Sequence, residues 1–201
     1  MAVLLEDLVA GSLLVRERLT GALAEGDRLV DVELEGCTLF DAVLAGTELS
    51  GVKLEDCSVE RVDLSRARLP DVTLDGCTFV GCKALATSWS MMRRPALTPS
   101  PSSWLDCRLD LGSLSGLDLR GSRFTGCSLR DADLSGADLR EVTFLDCDLT
   151  GARLDGADLR GVDLRGSSGY GVDVRDARVE GLRVDVAGAE ALLSILGVEV
   201  D

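Results

Sequence analysis

The chain has 201 residues, 46% of them hydrophobic and only 3% aromatic, with 35 acidic against 21 basic side chains and a formal net charge of −14. Binding to DNA or RNA through phosphates calls for the opposite sign, so a direct nucleic-acid binder is not expected. Histidine is absent, which removes the usual general base and the His member of a Ser or Cys triad, and no phosphate-cradling glycine motif follows a strand, so catalysis is not expected.

Residues 1–26 carry apolar side chains at positions 4, 9, 14 and 19 but lack the small-polar-large signature, and read as an N-terminal capping segment, with a helix or degenerate first coils as the alternatives. Glu6 and Asp7 interrupt the early leucines and no stretch approaches the length of a membrane span. Neither a signal peptide nor a membrane anchor is therefore expected, and a cytoplasmic location is the default.

From residue 27 the pattern becomes strict. Leu29, Leu34, Leu39, Leu44, Leu49 and Leu54 stand five residues apart, Val59 to Phe79 continue the beat, and Leu109 to Leu164 resume it in the same phase. Neither a helix of 3.6 residues per turn nor a two-residue strand alternation has this period; a coil stacking on copies of itself does. Two residues before each large apolar side chain stands a small one, such as Ala42, Val52 or Ala132. Two residues after it stands a corner residue, often Gly, such as Gly36, Gly136 or Gly151.

The cysteines suggest the coil length. Cys37, Cys57 and Cys77 are twenty apart, as are Cys107, Cys127 and Cys147, and all seven including Cys82 occupy the small inward position. An insertion of about ten residues would place the two triplets on one vertical file. Their spacing does not suit zinc, and buried, inert thiols in a reducing compartment are the expectation. No metal or cofactor is implied.

The break falls at about residues 90–103, between Trp89 and Trp104, and holds three of the four prolines. It reads as a loop protruding from the rod, with Met91, Met92, Arg93, Arg94 and Leu97 as candidate recognition residues. The flanking tryptophans keep the five-residue phase and are expected to seal its exit and return. Residues 27–184 thus form the repeat and 185–201 a C-terminal helix and tail. Asp185 serves as its N-cap, Leu192, Leu193, Ile195 and Leu196 make an apolar face, and Gly197 is the stop.

The run Ala132-Asp133-Leu134-Ser135-Gly136-Ala137-Asp138-Leu139-Arg140 resembles the A-D/N-L-x-x signature of the pentapeptide-repeat family, and so does Gly151 to Leu159. The resemblance implies an all-β solenoid, a right-handed quadrilateral β-helix of four pentapeptides per coil. It also implies that the C-terminal helix caps the coil and joins two rods in a homodimer.

Outward carboxylates set the functional expectation. A twenty-residue count puts Asp118, Asp138 and Asp158 on one face, with Glu48 joining them if ten inserted residues are discounted. It puts Asp63, Asp133 and Asp173 on a second face and Asp163 on a third. About seven coils make a rod of roughly 34 Å, with carboxylate files about 4.8 Å apart. The sign suits a protein whose partner normally holds DNA. The resemblance extends to the acidic quinolone-resistance and topoisomerase-poison immunity group of the family, which implies a DNA mimic that binds DNA gyrase or topoisomerase IV. Two alternatives stand beside it: a scaffold rod for another protein, and a small-molecule sequestering protein with a cleft near Trp89, Trp104 and the loop.

Overall fold

Each pentapeptide places a large residue at the centre of a short extended segment, flanked by two outward side chains, and then turns. In Thr38–Phe40, for example, Leu39 points inward and its neighbours point out, as strand alternation requires. The computed structural model describes residues 2–93, 100–175 and 177–199. They wind into a β-solenoid of about seven turns closed by one short helix.

The coil has four walls. Wall I begins with Arg28–Val30 paired to Glu48–Ser50 and continues as single bridges through Arg68, Ser88, Ser113 and Asp133 to Arg153. Wall II holds four parallel strands, Leu13–Val15, Glu33–Glu35, Lys53–Glu55 and Thr73–Asp75. Wall III is an eight-stranded parallel sheet running from Val3–Leu4 to Thr143–Leu145. Wall IV is a chain of bridges from Val43 through Asp63, Lys83, Arg108 and Ser128 to Asp148 and Ser168. Backbone groups are satisfied between coils. The Leu44 amide donates to the Asp63 carbonyl at 2.7 Å, and the Asp63 amide donates to the Ala42 carbonyl at 3.0 Å.

The ladder starts earlier than the repeat pattern suggests. Leu14 pairs with Leu34, and Val3 pairs with Leu19, so residues 1–26 are not a separate cap; strands of the first coil begin at Val3. That coil is short because Leu5–Asp7 form a single 3-10 turn. Its degenerate sequence hid it.

The extra length at the break is five residues, not ten. Thr78 pairs with Ser103 and Phe79 with Trp104, whereas Thr78 pairs with Ser58 at the ordinary twenty. The Arg93 amide still donates to the Val72 carbonyl in the ordinary register, while the Gly76 amide donates to the Ser100 carbonyl in the shifted one. The additional pentad therefore lies between Arg93 and Ser100. Any multiple of five preserves the phase, so the period alone could not fix this number.

The cysteines consequently form two files rather than one. Cys37, Cys57 and Cys77 stack on wall III, and that file continues as Ser102 and Ser122. Cys82, Cys107, Cys127 and Cys147 stack on the adjoining wall, with the Cys82 amide donating to Cys107 Sγ. All seven are free and buried. The Cys107 thiol and burial push Cys82 up, and hydrogen bonding to Cys127 and burial leave Cys107 at about 12, so these two stay protonated.

Down the centre of wall III runs an aromatic stack. Phe79 and Trp104 lie parallel with centroids 3.8 Å apart, Phe124 follows at 5.9 Å and Phe144 at a further 5.0 Å. Trp89, from wall I, meets Trp104 edge-on at 5.2 Å. Both tryptophans are core residues, 2% and 4% exposed.

The helix Val186–Ile195 closes the last coil. The Asp185 carboxylate accepts from the Gly188 amide, as an N-cap does, and also from the amide of the corner residue Gly166, both at 2.9 Å. Gly188 is buried against the Tyr170 hydroxyl, where a Cβ would not fit. At the other end Gly197 takes φ +76, and the Val198 amide returns to the Leu193 carbonyl at 3.0 Å, a Schellman close.

Corners sit in the left-handed region, occupied mostly by Gly or by Asp, which tolerates it, and in a few places by Arg, Ala, Leu or Glu, as at Arg61 and Leu111. Asp131 stacks under Gly151, and a Cβ there would overlap Asp131 Oδ1; at Gly136 a Cβ would meet nothing within 4 Å. Gly136→Ala should therefore cost only the left-handed penalty of about 1 kcal/mol, and Gly151→Ala about 1–3 kcal/mol more. Urea unfolding of both, with Asp131→Ala added to recover the excess at Gly151, checks the assignment; equal losses at the two glycines would contradict it.

Candidate functional site

The outward residues flank each inward centre, so every carboxylate has stacked neighbours one coil above and below and a lateral neighbour two residues away. The seven acidic residues singled out in the sequence spread over all four walls. Glu48 and Asp133 share wall I, Asp63 stands on wall IV, Asp118, Asp138 and Asp158 stack on wall II, and Asp163 lies on wall III. The five-residue shift is what separates Glu48 from the Asp118 file and Asp63 from Asp133.

Most of them are neutralised. Glu48 lies between Arg28 and Arg68 at 2.7 and 2.9 Å. Asp118, Asp138, Asp158 and Asp163 each accept a two-pronged contact from the arginine two residues on: Arg120, Arg140, Arg160 and Arg165. The guanidiniums cover the carboxylates, leaving Asp158 and Asp163 side chains 13% and 14% exposed. Asp133 accepts from the Ser135 amide and lies 3.4 Å from Arg153, while Asp63 accepts from the Ser65 amide and makes no ion pair among the described residues.

The sequence reading missed a different file. Glu35, Glu55 and Asp75 stand in register on adjacent strands of wall II, and none makes an ion pair among the described residues. Asp31 and Asp56, on the corners either side of this wall, are exposed and likewise unpaired. Like charges one strand spacing apart repel, so this is where the negative potential of the rod is least compensated. Above the break the same outward file becomes Arg120, Arg140 and Arg160, each clamped to its aspartate. The signal was present in the sequence: an acidic residue after the central leucine, instead of before it, with no arginine two positions away.

Of the loop residues, Met91, Met92 and Arg93 remain in the coil. The Met91 carbonyl accepts from the Asp71 amide at 3.0 Å. Met91 is exposed at the corner, Met92 is half-buried against the core, and Arg93 lies 3.5 Å from Asp71. Arg94 and Leu97 fall outside the described residues. On the C-terminal helix Leu192 packs against the core, while Ile195 is exposed and Leu193 and Leu196 are half-exposed. Among the described residues no group of His, Cys, Asp or Glu is arranged to hold a metal ion, and no helix is long and apolar enough to cross a membrane.

The family pattern described as pentapeptide repeats (8 copies) matches residues 47–83, 107–146, 127–166 and 147–181, more than half of the chain. The chain is a pentapeptide-repeat protein. Among solved structures it is similar to two trypsin-treated forms of QnrB1, described as a plasmid-mediated fluoroquinolone resistance protein. The first is 20% identical, with 100% of this chain and 98% of that chain covered and a TM-score of 0.67. The second is 22% identical, with 96% and 91% covered and a TM-score of 0.56. These similarities concern the fold of the repeat protein. No curated protein matches the sequence.

The clamps give the pentapeptide-repeat rod an acid-sensitive component. Asp158 is held at about 2 by Arg160 and Asp148 at about 2 by the Thr150 hydroxyl and amide, both below the ordinary carboxylate value near ~3.9. Depressed folded values mean that this stability is fully present above the unfolded pKa and is lost as pH falls from about 4 toward 2. Thermal melts followed by circular dichroism should show Tm falling through that window, with a smaller fall in Arg160→Gln. A Tm independent of pH down to 2 would contradict the clamps.

Proposed function

We propose that this rod imitates duplex DNA, binds a type II topoisomerase, either DNA gyrase or topoisomerase IV, and protects it from poisons such as quinolones or natural-product inhibitors. The observation that carries the reading is the carboxylate ladder Glu35, Glu55 and Asp75, free of ion pairs among the described residues and held at strand spacing with Asp31 and Asp56 beside it; Asp75 also accepts from the Ser100 amide at 2.7 Å. Adjacent carboxylates about 4.8 Å apart give a regular, fixed negative surface to a groove built for phosphates. The formal charge of −14 adds long-range steering toward such a groove. The fold it shares with QnrB1, a fluoroquinolone resistance protein, is in keeping with the reading.

In this reading the protein acts by occupying its partner, not by catalysis, and acts in the cytoplasm where that partner works. The contribution of Asp118, Asp138, Asp158 and Asp163 is small, because their arginines already cancel them, and Met91 and Arg93 flank the acidic wall at its upper edge. The test is gyrase supercoiling with purified protein, with and without a quinolone. Wild type should inhibit supercoiling or relieve cleavage-complex formation at micromolar concentration. Glu35→Lys/Glu55→Lys/Asp75→Lys should weaken the effect at least about tenfold, and Asp118→Asn/Asp138→Asn/Asp158→Asn less than about threefold. No effect of the wild type on gyrase or topoisomerase IV would remove the proposal.

A second rod end to end would lengthen this surface. Ile195, with Leu193 and Leu196, offers the apolar patch for a homodimer once Leu192 is spent on the cap. Light scattering should report two copies for wild type and one for Ile195→Asp. A monomeric wild type would count against the paired rod.

A further inference from the structure

Wall III differs from the other three in what it shows to solvent. Its six strands from Thr38–Phe40 to Thr143–Leu145 carry two outward residues each, and Glu60 and Arg123 are the one acid and the one base among them. In a chain of net charge −14 this strip is neutral. Before each inward centre runs a file of hydroxyls, Thr38, Ser58, Thr78, Ser103 and Thr143, broken by Arg123. After each centre runs a file that holds Phe40, Val80, Leu105 and Leu145. Leu105 and Leu145 are 41% and 42% exposed, and Phe40 and Val80 are half-buried. A single exposed leucine is ordinary, but an apolar file along a continuous sheet is a surface for contact.

The order of residues along this strip is complementary to its own reverse. A second rod turned end for end about an axis along the strands, midway between Thr78–Val80 and Ser103–Leu105, presents each file to its own copy in reverse. Val80 then meets Leu105, Phe40 meets Leu145 and Thr78 meets Ser103. Glu60 comes diagonally opposite Arg123, a lateral step of about 7 Å that a long guanidinium side chain spans. Beyond the strip Arg18, whose guanidinium lies 4.5 Å from the Phe40 ring centroid, comes opposite Asp163. Sliding the second rod by one strand sets Glu60 against Leu145 or Leu105 instead, and a parallel rod sets the apolar file against hydroxyls. Both strip charges are open to a partner. Arg123 is exposed and makes no ion pair among the described residues, and Arg61, 3.7 Å from Glu60, is taken by Asp41 at 2.7 Å.

We propose that wall III is a docking face for a second copy of this chain, laid antiparallel across it. The contact is sheet on sheet at about 10 Å, with apolar file on apolar file. The strip is about 24 Å long with its files about 7 Å apart, well short of the ~800 Å² per partner of a standard interface. The pairing is therefore weak and reversible, and forms only when the rods are concentrated. It is separate from the contact through Ile195 and from the acidic ladder on wall II.

Sedimentation equilibrium of full-length Ile195→Asp, from about 10 µM to about 1 mM, reads this face without the helix contact. The mass should pass from one copy to two with a Kd of about 0.1–1 mM. Adding Leu105→Asp should leave one copy throughout. Glu60→Arg or Arg123→Glu alone should weaken pairing at least about threefold, and the two together should restore it to within about twofold. One copy at every concentration, growth beyond two copies, pairing that survives Leu105→Asp, or a doubly reversed variant as weak as the single ones would overturn the proposal. Should Leu105→Asp unfold, the charge reversals decide alone. None of these readouts involves a topoisomerase, so this face stands or falls apart from the function proposed above.

Discussion

Everything in this molecule depends on residues twenty apart lying in contact. Backbone amides on the walls find their carbonyls in the adjoining coils, as Leu44 does with Asp63 and Asp63 with Ala42, while the corners close within one coil, as Ala132 does with Leu129. The register of the whole rod is therefore one continuous decision. Side chains inherit it: inward positions become a packed column, outward positions become files, and corners stack on corners. A single position then feels two neighbours of its own kind, above and below. This is why several Asp corners are followed by Gly, as Asp131 is by Gly151 and Asp31 by Gly51, with the carboxylate oxygen lying where the next Cβ would be, whereas Asp41 is followed by Arg61, which pairs with it. The local rule, that Gly or Asp tolerates a left-handed corner, does not predict the alternation; stacking does.

The same constraint decides what an insertion can do. Five extra residues between Arg93 and Ser100 leave wall III unbroken, since Phe79 stacks on Trp104 as closely as any pair in the column. The change of register falls on wall II, where the Arg93 amide still meets the Val72 carbonyl and the bridges resume with Asp118 and Asp138. The coil, the inward phase and the C-terminal cap were legible in the sequence because they follow from local repetition and from capping residues such as Asp185. The insertion length was not, because adding five or ten leaves the leucine beat untouched. Two other signals discriminate. The aromatic residues Phe79, Trp104, Phe124 and Phe144 stack only with a shift of five, and Cys82 joins the file of Cys107 only with the same shift.

Charge was legible in amount and misleading in place. Counting aspartates by coil finds regular files, but a strand brings positions two apart to the same face, so Asp138 and Arg140 meet as surely as Asp118 and Asp138 do. The sequence Asp-Leu-Arg is therefore a self-neutralised pentad. Such pairs are exposed enough to add little stability each. Their larger effect is on the field of the rod, which they flatten over the upper half of wall II. Among the described residues Glu35, Glu55 and Asp75 meet no cation, because their outward neighbours two positions back are Glu33, Lys53 and Thr73; Asp75 accepts instead from the Ser100 amide. The one lysine there, Lys53, is already taken by Glu33.

Wall II thus changes character at one level of the rod. Below the break it is an anionic ladder; above it, a ladder of closed ion pairs. A regular solenoid has no interior to offer, since inward centres such as Leu134, Leu139 and Leu149 are sealed by the coils on either side. A single added pentad shifts everything above it by five and leaves the walls in line, so Thr78 meets Ser103, Lys83 meets Arg108 and Ser88 meets Ser113. The carboxylates below the break and the ion pairs above it therefore share one wall although no common spacing of twenty joins them. Substitutions at Glu55 and at Asp138 act on the two halves separately.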